Sequence, residues 1–131
     1  MKTPSRTDRN ASVSPEDRLT KLAVAAIEDL KGFDIRVLDV RALTTITDVM
    51  IICSGTSSRH VKSIADAVVE KSKGQGARPR KLEGYDQGEW VLVDLGGVVV
   101  HAMQLSTRAF YQLEKLWDIQ EQVKPAKVSS A

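Results

Sequence analysis

Two histidines, one cysteine and a Ser-Gly-Thr-Ser loop are the groups through which this chain could do chemistry. His60 and Cys53 could meet in space as an imidazole base and a thiolate nucleophile. Cys53, however, ends the apolar run Val49-Met50-Ile51-Ile52, where a thiol usually serves as a small packing group. A lone cysteine also excludes an internal disulfide. No HxxxH, HxH or Cys/His pairing is present, so no metal is expected. Ser54-Gly55-Thr56-Ser57 follows a strand and precedes a helix, a place where free amides attract phosphate. It lacks the Lys-Ser/Thr pair and second glycine of a P-loop, which leaves a βα turn with Ser57 or Ser58 as N-cap. Asp39, Asp48, Asp66 and Asp94 are scattered singly, and Glu89 and Asp94 fall on opposite strand faces. Nothing here converges as a two-metal centre needs. No catalytic residue, cofactor or metal is expected.

Other residues suit recognition better than reaction. Strand alternation puts Val99, His101 and Met103 on one face. If that face is open, the three form a binding surface with one polar handle; if helices cover it, His101 is a hydrogen-bonded core residue. Trp90 heads its strand behind Asp86-Gln87-Gly88-Glu89, which fits an interface anchor or a core cap. Arg78, Arg80 and Lys81 read either as an RNA contact or as charges that guard a sheet edge.

The elements that position these groups follow from periodicity. Ser14-Pro15-Glu16-Asp17 starts a helix, with Leu19, Leu22, Ala23, Ala26, Ile27 and Leu30 on its apolar face and Gly32 as its stop. Ile35–Val40 alternates as a strand, and Val49–Cys53 has the continuous apolar character of a strand buried on both faces. A second helix carries Val61, Ile64, Ala65, Val68 and Val69 and ends at Gly74 and Gly76. Arg78 to Glu83 contains Pro79 and reads as an edge strand. Gly84-Tyr-Asp-Gln-Gly-Glu-Trp90 then leads into the hairpin Trp90–Asp94 and Val98–Met103. Ser106 opens a last helix with Phe110, Tyr111, Leu113, Leu116 and Trp117. Phe110 and Trp117 share a face expected in the core, with Arg108 and Tyr111 outside it. This segment holds much packing and little chemistry, as docking requires. The order predicts an α/β fold, a mixed sheet with helices mainly on one face.

Composition sets the remaining bounds. The 131 residues are 42% hydrophobic and 27% charged with a net charge of +2, which fits one domain and no overall field toward nucleic acid or membrane. No run reaches the roughly 18 apolar residues of a membrane span. Residues 1–14 lack a signal-peptide centre, and Asp8 argues against a transit peptide, so a cytoplasmic location is expected. They read as a disordered extension, 15–123 as the single domain and 124–131 as a disordered tail.

Taken together, these residues resemble the ribosomal silencing factor family, also called iojap-like. The resemblance runs from about Leu19 to Trp117. It rests on Asp48, Ser54-Gly55-Thr56-Ser57-Ser58-Arg59-His60-Val61 with Ile64-Ala65-Asp66, and Glu83-Gly84. It continues through Trp90-Val91-Leu92-Val93-Asp94, Val98-Val99-Val100-His101 and Arg108-Ala109-Phe110-Tyr111-Gln112-Leu113-Glu114. The chain departs from the family's pattern at Val49-Met50, usually Tyr-Phe, and at Gly97, usually Asp. The resemblance implies a nucleotidyltransferase-like fold without that superfamily's metal-binding acids. It implies a non-enzymatic factor that binds the large ribosomal subunit through its fourteenth protein, blocks subunit joining by bulk and lowers translation when nutrients are scarce. It further implies a homodimer when free, and partner contacts through Glu83, Trp90, His101, Met103, Arg108 and Tyr111, with no nucleic-acid specificity of its own. The rivals are a nucleotidyl-transfer enzyme using the Ser54-Gly55 loop and an RNA-binding module using Arg78, Arg80 and Lys81.

Overall fold

The computed structural model describes residues 14–113 and 115. The elements run α1 (Pro15–Asp29), β1 (Phe33–Asp39), β2 (Val49–Gly55), α2 (Ser58–Gly74), β3 (Lys81–Glu83), β4 (Trp90–Asp94), β5 (Val98–Gln104) and α3 (Leu105–Tyr111). Capping chemistry sets the helix starts. The Ser14 hydroxyl accepts the Asp17 N–H at 3.1 Å, while the Asp17 carboxylate accepts the Ser14 N–H at 3.4 Å. That reciprocal box, with Pro15 in the first turn, satisfies amides the helix cannot pair itself. Ser57 caps α2 by accepting the His60 N–H at 3.1 Å. Lys71 and Lys73 complement the dipole in the last turn of α2.

The strands lie in the order β1-β2-β5-β4-β3, with β2 and β5 parallel at the centre and every other pair antiparallel. All seven residues of β2 are buried, as its apolar run demands. Alternation then divides the side chains between two faces. Ile51 and Cys53 of β2, Val98, Val100 and Ala102 of β5, and Val91 and Val93 of β4 meet Ala23, Ala26 and Ile27 of α1 and Val61, Ile64, Ala65 and Val68 of α2. The opposite face bears a smaller cluster of Leu38, Val40, Met50, Ile52 and Met103, against which Trp90 and Leu113 pack. The expected mixed sheet with helices mainly on one face is therefore present.

Two elements differ from the sequence reading. β3 holds three residues rather than six, because Pro79 has no N–H for the ladder and pairing starts only where the Arg80 N–H reaches the Asp94 carbonyl at 2.7 Å. The last helix is broken after Tyr111, where Gln112 turns left-handed with φ 49° and ψ 47°, and helical backbone resumes at Leu113. α3 is also rotated from the expected setting. The Arg108 guanidinium donates to the Asp34 carbonyl at 2.6 Å and the Ser54 hydroxyl at 2.9 Å, which pins that side of the helix to the sheet. Phe110 lies about 200° further round the helix and is 80% exposed, not core. Leu116 and Trp117 lie outside the described residues, as do residues 1–13 and 116–131, so the expected terminal tails and the end of the domain do too.

Among the described residues, one buried side-chain group is unsatisfied. The Ser72 hydroxyl, in the last turns of α2, is fully buried and has no hydrogen-bond partner. An orphaned buried hydroxyl costs about 1–3 kcal/mol, and alanine is the better helix former. Ser72→Ala should therefore stabilise the protein by about 1 kcal/mol, raising Tm by about 4 °C. An unchanged or lower Tm would mean that water satisfies the hydroxyl in solution.

Candidate functional site

Register assembles the open face from three cross-strand rows. Leu38, Met50, Val99, Asp94 and Lys81 form the first, and Arg36, Ile52, His101, Leu92 and Glu83 the second. Ser54, Met103 and Trp90 form the third, nearest α3. Trp90 and His101 thus sit diagonally on adjacent strands, within reach of each other. The Trp90 indole N–H donates to His101 Nδ1 at 2.9 Å. An indole nitrogen can only donate, so Nδ1 must be the acceptor and the ring proton resides on Nε2. His101 is 6% exposed, and burial pushes its pKa down to about 4, leaving the ring neutral at pH 7.

Aromatic contacts continue outward from this pair. The Tyr111 ring lies 5.0 Å from Trp90, and Phe110 meets Tyr111 edge-on at 4.9 Å. Phe110, Tyr111 and Leu105 are all exposed, so α3 ends in a bare apolar surface. Two shallow depressions open to solvent flank Trp90. One, of about 230 Å³, is lined by Glu83, Gly84, Trp90 and Leu92. The other, of about 330 Å³, is lined by Glu89, Gln104, Ser106, Thr107, Phe110 and Tyr111. Neither encloses a small molecule as a substrate pocket does. Surface of this shape suits a macromolecule.

The loop before β4 holds Trp90 in place. Gly84 has φ +79°, and a Cβ there would strike the Trp90 carbonyl oxygen, so only glycine permits the turn. The Tyr85 hydroxyl donates to Asp66 at 2.9 Å, and the Gln104 side chain donates to the Gly88 carbonyl at 3.0 Å. These bonds tie the loop to α2 and β5.

Glu83, Trp90, His101 and Tyr111 are brought to this face as the sequence suggested. For His101, and for Met103 and Arg108, which also belong to it, the expected exposure is corrected: His101 lies buried under the Trp90 indole. Met103 is fully buried in the small cluster beneath Trp90, because a mid-strand thioether fills the gap under the indole. Arg108 is 6% exposed because its guanidinium is drawn down to the Asp34 carbonyl and Ser54. Leu92 was missed, although it shares a strand face with Trp90 by simple alternation. Phe110 and Leu105 were missed as surface because the rotation of α3 is a tertiary effect.

The nucleophilic and anion-binding readings find no geometry. Burial raises the Cys53 thiol to about 12, with the Arg108 charge opposing, so it is protonated at neutral pH. His60 Nδ1 accepts the Thr56 N–H at 2.9 Å, and Nε2–H donates to the Leu30 carbonyl at 2.7 Å. Both ring nitrogens are engaged in tying the end of α1 to the start of α2. The Thr56 and His60 amides that might have met phosphate are already bonded, to His60 and Ser57. Among the described residues, no group of three or more His, Cys, Asp or Glu could hold a metal ion. No helix among them is long and apolar enough to cross a membrane.

Comparison with known proteins agrees with this geometry. Residues 13–131 match the family model described as ribosomal silencing factor during starvation. A ribosomal silencing factor of Chromobacterium violaceum is 46% identical over 99 residues, covering 76% of this chain and 81% of that protein. A crystal structure of a protein from the same organism superposes with a TM-score of 0.79 at 44% identity, covering 80% of this chain and 88% of that one. More distantly, a mouse protein named for mitochondrial assembly of the ribosomal large subunit is 36% identical over 101 residues, 75% of this chain and 44% of that protein.

Proposed function

The chain belongs to the family of ribosomal silencing factors, and from that premise we propose that it binds the large ribosomal subunit through the subunit's fourteenth protein and blocks subunit joining by occupancy. The observation that carries this reading is the open sheet face. It presents Trp90, Leu92 and Glu83 beside the exposed Tyr111 and Phe110, without convergent acids or an enclosed pocket. Such a face offers a large aromatic anchor, one polar contact beside it and a polar rim, the anatomy of a protein interface. Trp90, Glu83 and Tyr111 make the contacts; His101, Met103 and Arg108 hold the face from beneath. The name of the mouse relative, which ties it to assembly of the large subunit, supports the choice of subunit.

The protein acts in the cytoplasm when nutrients are scarce. No bond is made or broken: a body of this size seated where the small subunit must dock excludes it. In free solution the same apolar surface is covered by a second copy, as a homodimer that opens on binding. The test is co-sedimentation of the purified chain with separated ribosomal subunits, followed by a subunit-joining assay. Binding to the large subunit alone, with fewer joined ribosomes as protein is added, is the expected result. No association with either subunit at micromolar concentration would refute the reading.

A further inference from the structure

Residues 71–82 contain Lys71, Lys73, Arg78, Arg80 and Lys81 and no acid, in a chain whose net charge is only +2. The rest of the protein is therefore net acidic, and the net positive excess resides on one short segment. That segment runs from the last turn of α2 to β3, the outermost strand of the sheet. Lys71 is engaged by Asp29 at 3.0 Å, and Lys81 lies 3.6 Å from Glu83. Lys73, Arg78 and Arg80 are exposed and make no ion pair among the described residues. The Arg80 guanidinium lies over Gly96 at the β4–β5 turn, where the missing side chain leaves it room. Lys81 shares a sheet face with Glu83 and His101, so the basic edge is continuous with the docking face.

Guarding a sheet edge explains Pro79 and Lys81. It does not explain Lys73 and Arg78, which lie off the ladder. No aromatic residue stands among residues 71–82 to stack on a base. What remains, at Lys73, Arg78 and Arg80, is a group of unneutralised cations, the chemistry that meets phosphates and carries no sequence information. We propose that Lys73, Arg78 and Arg80 form a contact for the phosphate backbone of ribosomal RNA beside the docked protein. This rests on the ribosome-binding reading. The sheet face chooses the site, and the basic edge adds salt-dependent affinity.

The experiment measures binding of the chain to the large subunit and to the isolated fourteenth protein between 50 and 200 mM salt, values within the range over which such contacts weaken. The variants are a triple Lys73→Gln/Arg78→Gln/Arg80→Gln and a charge-keeping Arg78→Lys/Arg80→Lys. The triple variant should bind the subunit about tenfold more weakly at low salt, with a log–log salt slope shallower by about 2, since each phosphate contact contributes roughly 0.7–0.9. Its affinity for the isolated protein and its Tm should match wild type, and the lysine variant should keep the slope. An unchanged subunit slope would overturn the proposal. So would an equal loss on the isolated protein, which would assign the edge to an acidic protein surface. Failure of the wild type to bind subunit or protein would instead refute the docking reading itself.

Discussion

Replacing Trp90 with alanine is expected to weaken binding to the large subunit by at least about 30-fold and to cost about 3–5 kcal/mol of stability. Both effects come from the same position. The indole packs on the cluster of Leu38, Val40, Met50, Ile52 and Met103 with one side, and lines the depression shared with Glu83, Gly84 and Leu92 with the other. Its N–H is also the donor to His101 Nδ1, so alanine leaves a cavity and a nearly buried acceptor without a partner. A stability loss alone could mimic lost binding. Trp90→Phe separates the two, because it keeps an aromatic filler and removes only the N–H. It should cost about 1–3 kcal/mol, stay folded at 25 °C and retain most of the affinity. Melting curves would accompany both titrations. Full binding by a folded Trp90→Ala protein would remove the sheet face from the interface, whatever else the family does.

What depends on neighbours along the chain was legible: the Ser14 cap with Pro15, the buried run of β2, the Ser57 cap and the hairpin around Gly96 and Gly97. The resemblance rested on these same stretches. What depends on contacts between distant segments was not. The setting of α3 is decided by Arg108 reaching Asp34 and Ser54, residues 74 and 54 positions away. Heptad spacing alone put Phe110 inward. The burial of Met103 likewise depends on where Trp90 lies, which alternation along a single strand does not say. For His101 the sequence left two readings, an open face or a core. The structure places it on the open face and still nearly buries it, because Trp90 leans across and bonds it. Leu92 was within reach of the sequence. It stands two residues from Trp90 on the same strand face.

The His101–Trp90 bond should also make stability depend on acid. In the folded protein the His101 pKa is held down to about 4 by burial, against an ordinary value of about 6.5. The unfolded chain therefore binds more protons than the folded one between those values, and stability must rise with pH across that window. The contribution is fully present above about pH 6.5. It falls as the pH drops, by up to 1.36 kcal/mol per unit, and levels off below about 4, for a total loss of about 3 kcal/mol. The cause is geometric as well as dielectric. A protonated ring would turn an Nδ1–H toward the Trp90 indole N–H across 2.9 Å, donor against donor, so the pair must separate before the ring can charge. Carboxylates add their own dependence in the same range, so the reading must be differential. His101→Gln has an amide oxygen that can accept the indole N–H but cannot titrate. His60 is present in both proteins and cancels in the comparison. Wild type should lose about 3 kcal/mol more than His101→Gln between pH 7 and pH 4 in denaturant titrations. Parallel curves for the two proteins would mean that the imidazole is charged in the fold without penalty. The neutral, one-donor histidine drawn at the centre of the docking face would then be wrong.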